Sequence, residues 1–398
     1  MNTSKPNPKK TNLFRYLFKR DTLFATVLVF IVIGLFAKLE TGLGILDPKE
    51  ITSKDFDYND LAFNLLNKHY NIPTDLDIFI VNIKDIDMKA IAGILKKVNL
   101  AKPKVIGIDV LLDSSANKEA DGLLKNFLHN NNRVVLAAQL DTAGNRVPSY
   151  FDDSTIKPGF VNFTVGYQNV VREITPYIVQ KDTLLSFSAA CVKIDSPESF
   201  RKLLARGHKV EGINYTRSQE KFSIIDGSDT TTDYSGLTDK IVLLGTVDSG
   251  SHYEDKHFTP LNRKLTGKSL PDMSGVVIHA NIIRMMLDNN YINHTNSVIN
   301  WGIAFILCWL HMALFIRYWI EKHIWFHLVV KIAQLASAII FIYLGLIIFY
   351  NFNAQIDLTD TLIAIILAVD VLYFYEAGVI WLHQKKGFKT LFHHEIPN

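Results

Sequence analysis

Two cysteines in 398 residues are too few for a disulfide scaffold or a four-thiolate zinc site. Cys191 falls in a mixed polar stretch and Cys308 in an apolar run, which argues against a mutual disulfide. A formal charge of +3 makes no case for nucleic acid as a partner. GxSxG, Walker A and HExxH patterns are all absent. We therefore expect no enzymatic activity and no cofactor. There is no tandem repeat or long low-complexity tract, and with 48% apolar residues disorder is excluded for nearly all of the chain.

What is present is apolar residue in excess, with a mean hydropathy of +0.13. The excess is concentrated in one N-terminal run and in the last hundred or so residues. The N-terminal tail carries Lys5, Lys9, Lys10, Arg15, Lys19 and Arg20, and an apolar run from Thr22 to Ala37 follows. A basic start and a short apolar run also describe a signal peptide. Leu35 and Ala37 do not supply the small-x-small cleavage pair, so an uncleaved signal anchor is the better reading. Three later runs are long enough to span a bilayer.

Charge sets the expected orientation. Arg317, Lys322 and Lys331 cluster in and beside one loop, Lys385, Lys386 and Lys389 follow the last run, and residues 351–360 contain no Lys or Arg. By the positive-inside rule both termini are cytoplasmic. The expected plan is a basic tail over 1–21, a first span over 22–38 and a block outside the cytoplasm over 39–297. Further spans follow over 298–316, 328–350 and 361–382. They are joined by a cytoplasmic loop over 317–327 and an outside loop over 351–360, with a cytoplasmic tail over 383–398. Trp301, Trp319 and Trp325 lie near span ends, as interfacial aromatics do. The expected location is a bacterial cytoplasmic (inner) membrane.

The outside block has the rhythm of an α/β domain. A helix is expected over Asp55–Tyr70, with Tyr58, Leu61, Ala62 and Leu65 on one face. Strands are expected at Asp77–Ile83, Lys104–Leu112 and Arg133–Leu140, separated by helices from Met88 and over Lys118–His129. Near-continuous apolar strands imply a largely parallel or mixed sheet covered on both faces. Pro158–Phe163 and Val171–Val179 read as a hairpin pair. A short helix from Leu184, strands near Ile213 and Phe222, and a buried strand at Lys240–Gly245 follow. A loop of about thirty residues then precedes a last helix whose face is Val276, Ala280, Ile283 and Leu287.

These stretches resemble a known family. DIFIVNIKDID (77–87), KPKVIGIDVLL (102–112), PGFVNF with VVREITPYI, KIVLLGTVDSGSHYEDKHFTPL and MSGVVIHANIIRMMLDNNYI occur in the order seen in the second CHASE class, the cyclase and histidine-kinase associated sensory extracellular domains. The resemblance covers about residues 40–382. It implies an extracytoplasmic sensory module followed by three membrane helices, usually working as a dimer. Such modules usually precede a cytoplasmic output domain, but about sixteen residues follow Leu382. A separate effector protein is therefore expected to receive the signal. A docking subunit of a larger envelope complex is the alternative. The resemblance brings no assigned ligand residues.

The candidate sites come from the residues themselves. Asp85 follows the first strand, Asp109 sits within the second, and Thr246 and Asp248 follow KIVLLG; ligands of parallel sheets bind beyond the carboxyl ends of strands. If those strands are neighbours, the four side chains line a polar-ligand or cation site. Helix capping and turn formation are the competing roles. Asp109 resists them best, because it interrupts an apolar strand. His252, His257 and His279 with Glu254 and Asp255 are conceivable metal ligands, but HYEDKH has no recognised ligand spacing. His279 shares a helical face with Val276 and Ile283, which favours a core histidine. In the spans, His311, Lys331, Asp370 and Glu376 are polar residues in lipid. His311, Lys331 and Glu376 lie at one level, where a Lys331–Glu376 pair could form, and Asp370 lies nearer the midplane; helix glue is the favoured role, contact with a partner's membrane helix the alternative, and proton or ion conduction the least favoured.

Overall fold

The computed structural model describes residues 13–39, 62–63, 72–152, 155–165, 170–180, 182–248, 255–262 and 270–392. The helix expected over Asp55–Tyr70 lies outside them except for Ala62 and Phe63. The chain divides into two compact units, one of residues 52–292 and one of residues 1–51 with 293–398.

After a single helical turn at Phe14–Leu17, helix α1 (Arg20–Leu39) is the first long element of the second of these. The chain then enters the α/β unit. There β1 (Ile78–Asn82), α2 (Met88–Leu100), β2 (Val105–Asp109), α3 (Lys118–His129) and β3 (Val134–Ala138) alternate. Asp87 caps α2 by accepting from the Ala90 N–H, and Asn117 caps α3 by accepting from the Ala120 N–H. Next come β4 (Lys157–Phe160), α4 (Phe187–Asp195), α5 (Pro197–Arg206), β5 (Ser223–Asp226), β6 (Ile241–Gly245) and α6 (Gly275–Asp288).

These six strands form one sheet in the order β5-β1-β6-β2-β3-β4, and every pairing is parallel. Alternation along β2 divides its side chains between two faces. Ile106 and Ile108 face a core with Leu95 and Val98 of α2 and Leu124 and Leu128 of α3. Gly107 faces the other side, where an added Cβ would meet Phe187 and Leu243 at 2.7 Å. That side is covered by α4 and α6, and Gly245 admits Val276 of α6 in the same way. Both faces are therefore buried, which is why the strands read as unbroken apolar runs.

The expected hairpin is corrected. Residues 157–160 join the main sheet as its edge strand, parallel to β3. The antiparallel pairing is instead between Thr164–Val165 and Val171–Ile174, and Tyr177–Val179 pairs with Thr183–Leu185. Within the long loop, Lys256–His257 pairs antiparallel with Met273–Ser274.

The other unit contains α1, α7 (Ser297–Glu321), α8 (His323–Phe352) and α9 (Thr359–Lys386). Among the described residues three helices, α7, α8 and α9, are long and apolar enough to cross a membrane. Only Lys322 separates α7 from α8. Thr22, Ala25, Thr26 and Val29 recur on one face of α1 and are all fully buried. Ala25 and Val29 share a core with Met312 and Phe315 of α7 and Ala364 and Ala368 of α9. Small residues on this stripe let helix backbones approach closely.

Candidate functional site

Three of the strands named for the candidate site are adjacent, with β6 between β1 and β2. Their register places Asn82, Gly245 and Asp109 in one row at the carboxyl ends. Asp109 lies on the Gly107 face, toward α4 and α6. A cavity of about 560 Å³ opens there, lined by Asp109, Thr246, Asp255, His257 and His279 together with Phe163.

Asp109 and Thr246 thus come together, but Asp85 and Asp248 do not join them. Asp85 is exposed and occupies a left-handed turn position, with φ of 59°. Asp248 is buried and paired with the Lys84 ammonium. Burial raises the Asp248 carboxyl, but the hydrogen bond and charge of Lys84 outweigh it and hold the group below the usual range. Asn82 fixes the neighbouring turn, accepting from the Val247 N–H at 3.0 Å and donating to the Val247 carbonyl at 3.2 Å. Of the four, Asp109 and Thr246 therefore line the cavity, while Asp85 occupies a turn and Asp248 an ion pair.

Asp109 is the unusual member. Its side chain is 10% exposed, and its closest polar neighbour is His279 Nε2 at 3.8 Å, beyond hydrogen-bond range. No hydrogen bond reaches its carboxylate from any of the described residues. Burial, and then the negative charge of Asp255, push its pKa well above the carboxylate range.

His279 is a core histidine, as its helical face suggests, and it also forms a wall of the cavity. Its Nδ1 lies 2.9 Å from the Ser188 hydroxyl. Its ring stacks on Phe163 with centroids 4.7 Å apart and meets Phe187 edge-on. Burial lowers its pKa to about 3, with His257 adding to the effect. His257 also packs edge-on against Phe163, and burial lowers its pKa against the pull of Asp255. The sequence did not point to Phe163 or Ser188. Phe163 ends a stretch that reads as a hairpin strand, and nothing local signals that it meets two histidines about a hundred residues away.

His252 and Glu254 lie outside the described residues. Among the described residues no cluster of three or more His, Cys, Asp or Glu is placed to hold a metal. A larger cavity of about 850 Å³ sits at the amino ends of the strands, lined by Lys104, Arg133 and Lys157. Arg133 is taken up by the Pro103 carbonyl and Asn99, Lys157 by the Asn132 carbonyl, and Lys104 lies 3.7 Å from Asp195. It contains none of the candidate residues.

In the helical unit, His311 of α7 bridges to Ser337 of α8 at 2.7 Å. Among the described residues Lys331 and Glu376 are not paired with each other. Lys331 is directed toward Gln334 at 3.4 Å, and Glu376 accepts from the Trp319 indole at 2.9 Å. The indole is the closer donor, on a helix packed directly against α9. Asp370 is exposed on α9 and has no hydrogen bond among the described residues.

The family model of the CHASE2 domain matches residues 27–315, well over half of the chain. No curated protein and no solved structure matches it. The chain belongs to the CHASE2 family: it is a multi-pass membrane protein with an extracytoplasmic sensory domain.

Proposed function

We propose that this CHASE2 protein is a sensor of the bacterial cytoplasmic membrane that takes a polar ligand in the Asp109 cavity and reports to a separate effector protein. The observation that carries the reading is Asp109 itself, a nine-tenths buried carboxyl group with no hydrogen-bond partner among the described residues, at the ends of adjacent parallel strands. Leaving such a group unsatisfied is costly, and sites that bind ligands are where such costs are met.

In this reading α1 is a fourth span. Its 20 residues extend about 30 Å, the thickness of a bilayer's hydrocarbon core. Both termini are cytoplasmic, as the lysines and arginines flanking the apolar runs favour. Residues 289–296 join α6, which carries His279, to α7. A ligand-dependent shift of α6 therefore has a short covalent route to the membrane helices. The protein works as a homodimer, with lipid and the effector as its other contacts, and the domain carries out no reaction.

The test is crosslinking in intact cells, mild solubilisation and mass spectrometry, with wild type and Asp109→Asn in parallel. A stoichiometric kinase, cyclase or other regulator, with output altered by Asp109→Asn, is the expected result. Recovery of envelope structural or transport proteins, unaltered by Asp109→Asn, would make the protein a docking subunit instead.

A further inference from the structure

The charge balance of the cavity narrows the class of ligand. Among the described residues its wall contains two carboxylates, Asp109 and Asp255, two imidazoles, His257 and His279, and no Lys or Arg. Lys84, at the end of β1, is engaged by Asp248. We propose that the cavity binds a small organic cation, an amine or guanidinium compound, whose charged head sits between Asp109 and Asp255. This rests on the sensor reading above and specifies its ligand.

Three observations converge on it. First, the imidazoles do not neutralise the carboxylates near pH 7. Burial holds both rings in the neutral form, His279 with a pKa of about 3. Second, Asp109 is nine-tenths buried with no hydrogen bond among the described residues, so it is an acceptor aimed into the cavity and unused. An ammonium or guanidinium supplies both the donor and the charge that the site lacks. Third, about 560 Å³ is far more than a bare metal ion fills and suits a small organic molecule. The absence of a three-ligand metal cluster among the described residues agrees with this. Phe163 adds an aromatic wall, which a cation tolerates well.

One feature opposes a cation. Gly275 and Val276, the amino end of α6, also line the cavity, and a helix amino end carries a positive potential. That potential is equivalent to about half a charge, against the Asp255 carboxylate and, once the arriving cation has displaced its proton, the Asp109 carboxylate as well. The sum stays negative.

Binding also moves a proton. In the empty cavity the Asp109 carboxyl is protonated over a wider pH range than an ordinary carboxylate. The arriving cation stabilises the carboxylate, and the carboxyl proton leaves to solvent, so charge and atoms balance with no other reactant.

The test is titration calorimetry on the full chain in detergent, in two buffers of different ionisation enthalpy. The probes are putrescine, spermidine, choline and guanidinium, with glutarate as an anionic and glycerol as an uncharged control. At least one cation is expected to bind wild type with proton release. Asp109→Asn is expected to weaken that binding by roughly thirtyfold or more and to abolish proton release. Asp255→Asn alters an exposed residue with little risk to folding and is expected to weaken binding as well. Failure of all four cations, or equal binding to wild type and both variants, overturns the proposal. Binding of glutarate or glycerol that Val276→Trp blocks would overturn the cation assignment and leave the sensor reading standing. Absence of all binding, with unaltered effector output from Asp109→Asn cells, would remove both.

Discussion

The Tyr375 hydroxyl donates to Asp21 Oδ1 at 2.8 Å, tying the first turn of α1 to α9. The same carboxylate accepts from Thr390 Oγ1 at 2.9 Å and from the Leu391 N–H at 3.0 Å. Phe392 is fully buried beside the Tyr375 ring. One acid therefore holds α1, α9 and residues 390–392 together. Asp21→Ala leaves three donors without their acceptor, at a cost of about 1–3 kcal/mol each if they stay buried. The expected outcome is a lower Tm in detergent and faster tryptic cleavage after Lys389. A wild-type Tm with unchanged cleavage would show that the clamp contributes nothing to stability.

Gly159 is fixed by a close approach rather than by backbone conformation. A Cβ there would lie 2.5 Å from Phe187 Cα and 2.9 Å from its amide nitrogen. Backbone cannot yield as a side-chain tip does, so Gly159→Ala forces β4 and the start of α4 apart. Overpacking of this kind costs about 1–3 kcal/mol. A fall in thermal stability is expected, and Gly122→Ala, where nothing lies within 4 Å, is the control. Equal stability of the two variants would contradict the close packing.

The same glycine shows where reading the sequence stops. Apolar runs such as Val105–Asp109, preceded by Pro103, announce buried parallel strands without help from the structure. Asn117 and the spacing of Ala120, Leu124 and Leu128 do the same for α3. Pro158–Phe163 reads locally as a hairpin strand, and only the distant packing of Phe187 explains the glycine inside it. The position of β6 between β1 and β2 is a long-range fact that no local period encodes. What the sequence says about the candidate residues is uneven for a related reason. Asp109 breaks an apolar pattern and so is visible. Asp85 and Asp248 look equally suitable, but their roles depend on a backbone angle and on the position of Lys84.

His279 should make the extracytoplasmic domain acid-sensitive. Its folded pKa of about 3 lies below the ordinary value of 6.5, so the unfolded chain binds a proton first as pH falls. Its neutral form is therefore compatible with full stability above about pH 6.5, and stability is lost progressively from there toward pH 3. At pH 5 the loss amounts to about 2 kcal/mol. Asp272, raised to about 6 by burial, acts in the opposite direction, since its folded form retains a proton that the unfolded chain releases from about pH 4. His279→Phe removes the first contribution and keeps a ring against Phe163. Its denaturation midpoint is expected to change less than that of wild type between pH 7.5 and pH 5. Parallel profiles for the two proteins would refute the assignment.

Asp370 bears on assembly. It is exposed near the middle of α9, eleven residues after Thr359 and sixteen before Lys386. A carboxylate at the centre of a spanning helix costs about 2.5–3.5 kcal/mol on insertion scales, and no hydrogen bond from the described residues offsets that. His311 and Glu376 differ, because Ser337 and Trp319 satisfy them within the chain. If Asp370 meets a membrane helix of the effector or of a second copy, Asp370→Ala separates folding from assembly. Its Tm in detergent is expected to match or exceed that of wild type, because an exposed charge is lost and no internal bond is broken. The yield of crosslinked dimer or effector complex from intact cells is expected to fall several-fold. His311→Ala should behave in the opposite way, lowering Tm through the lost α7–α8 hydrogen bond. Normal assembly of Asp370→Ala would place the partner's contact elsewhere on the helices.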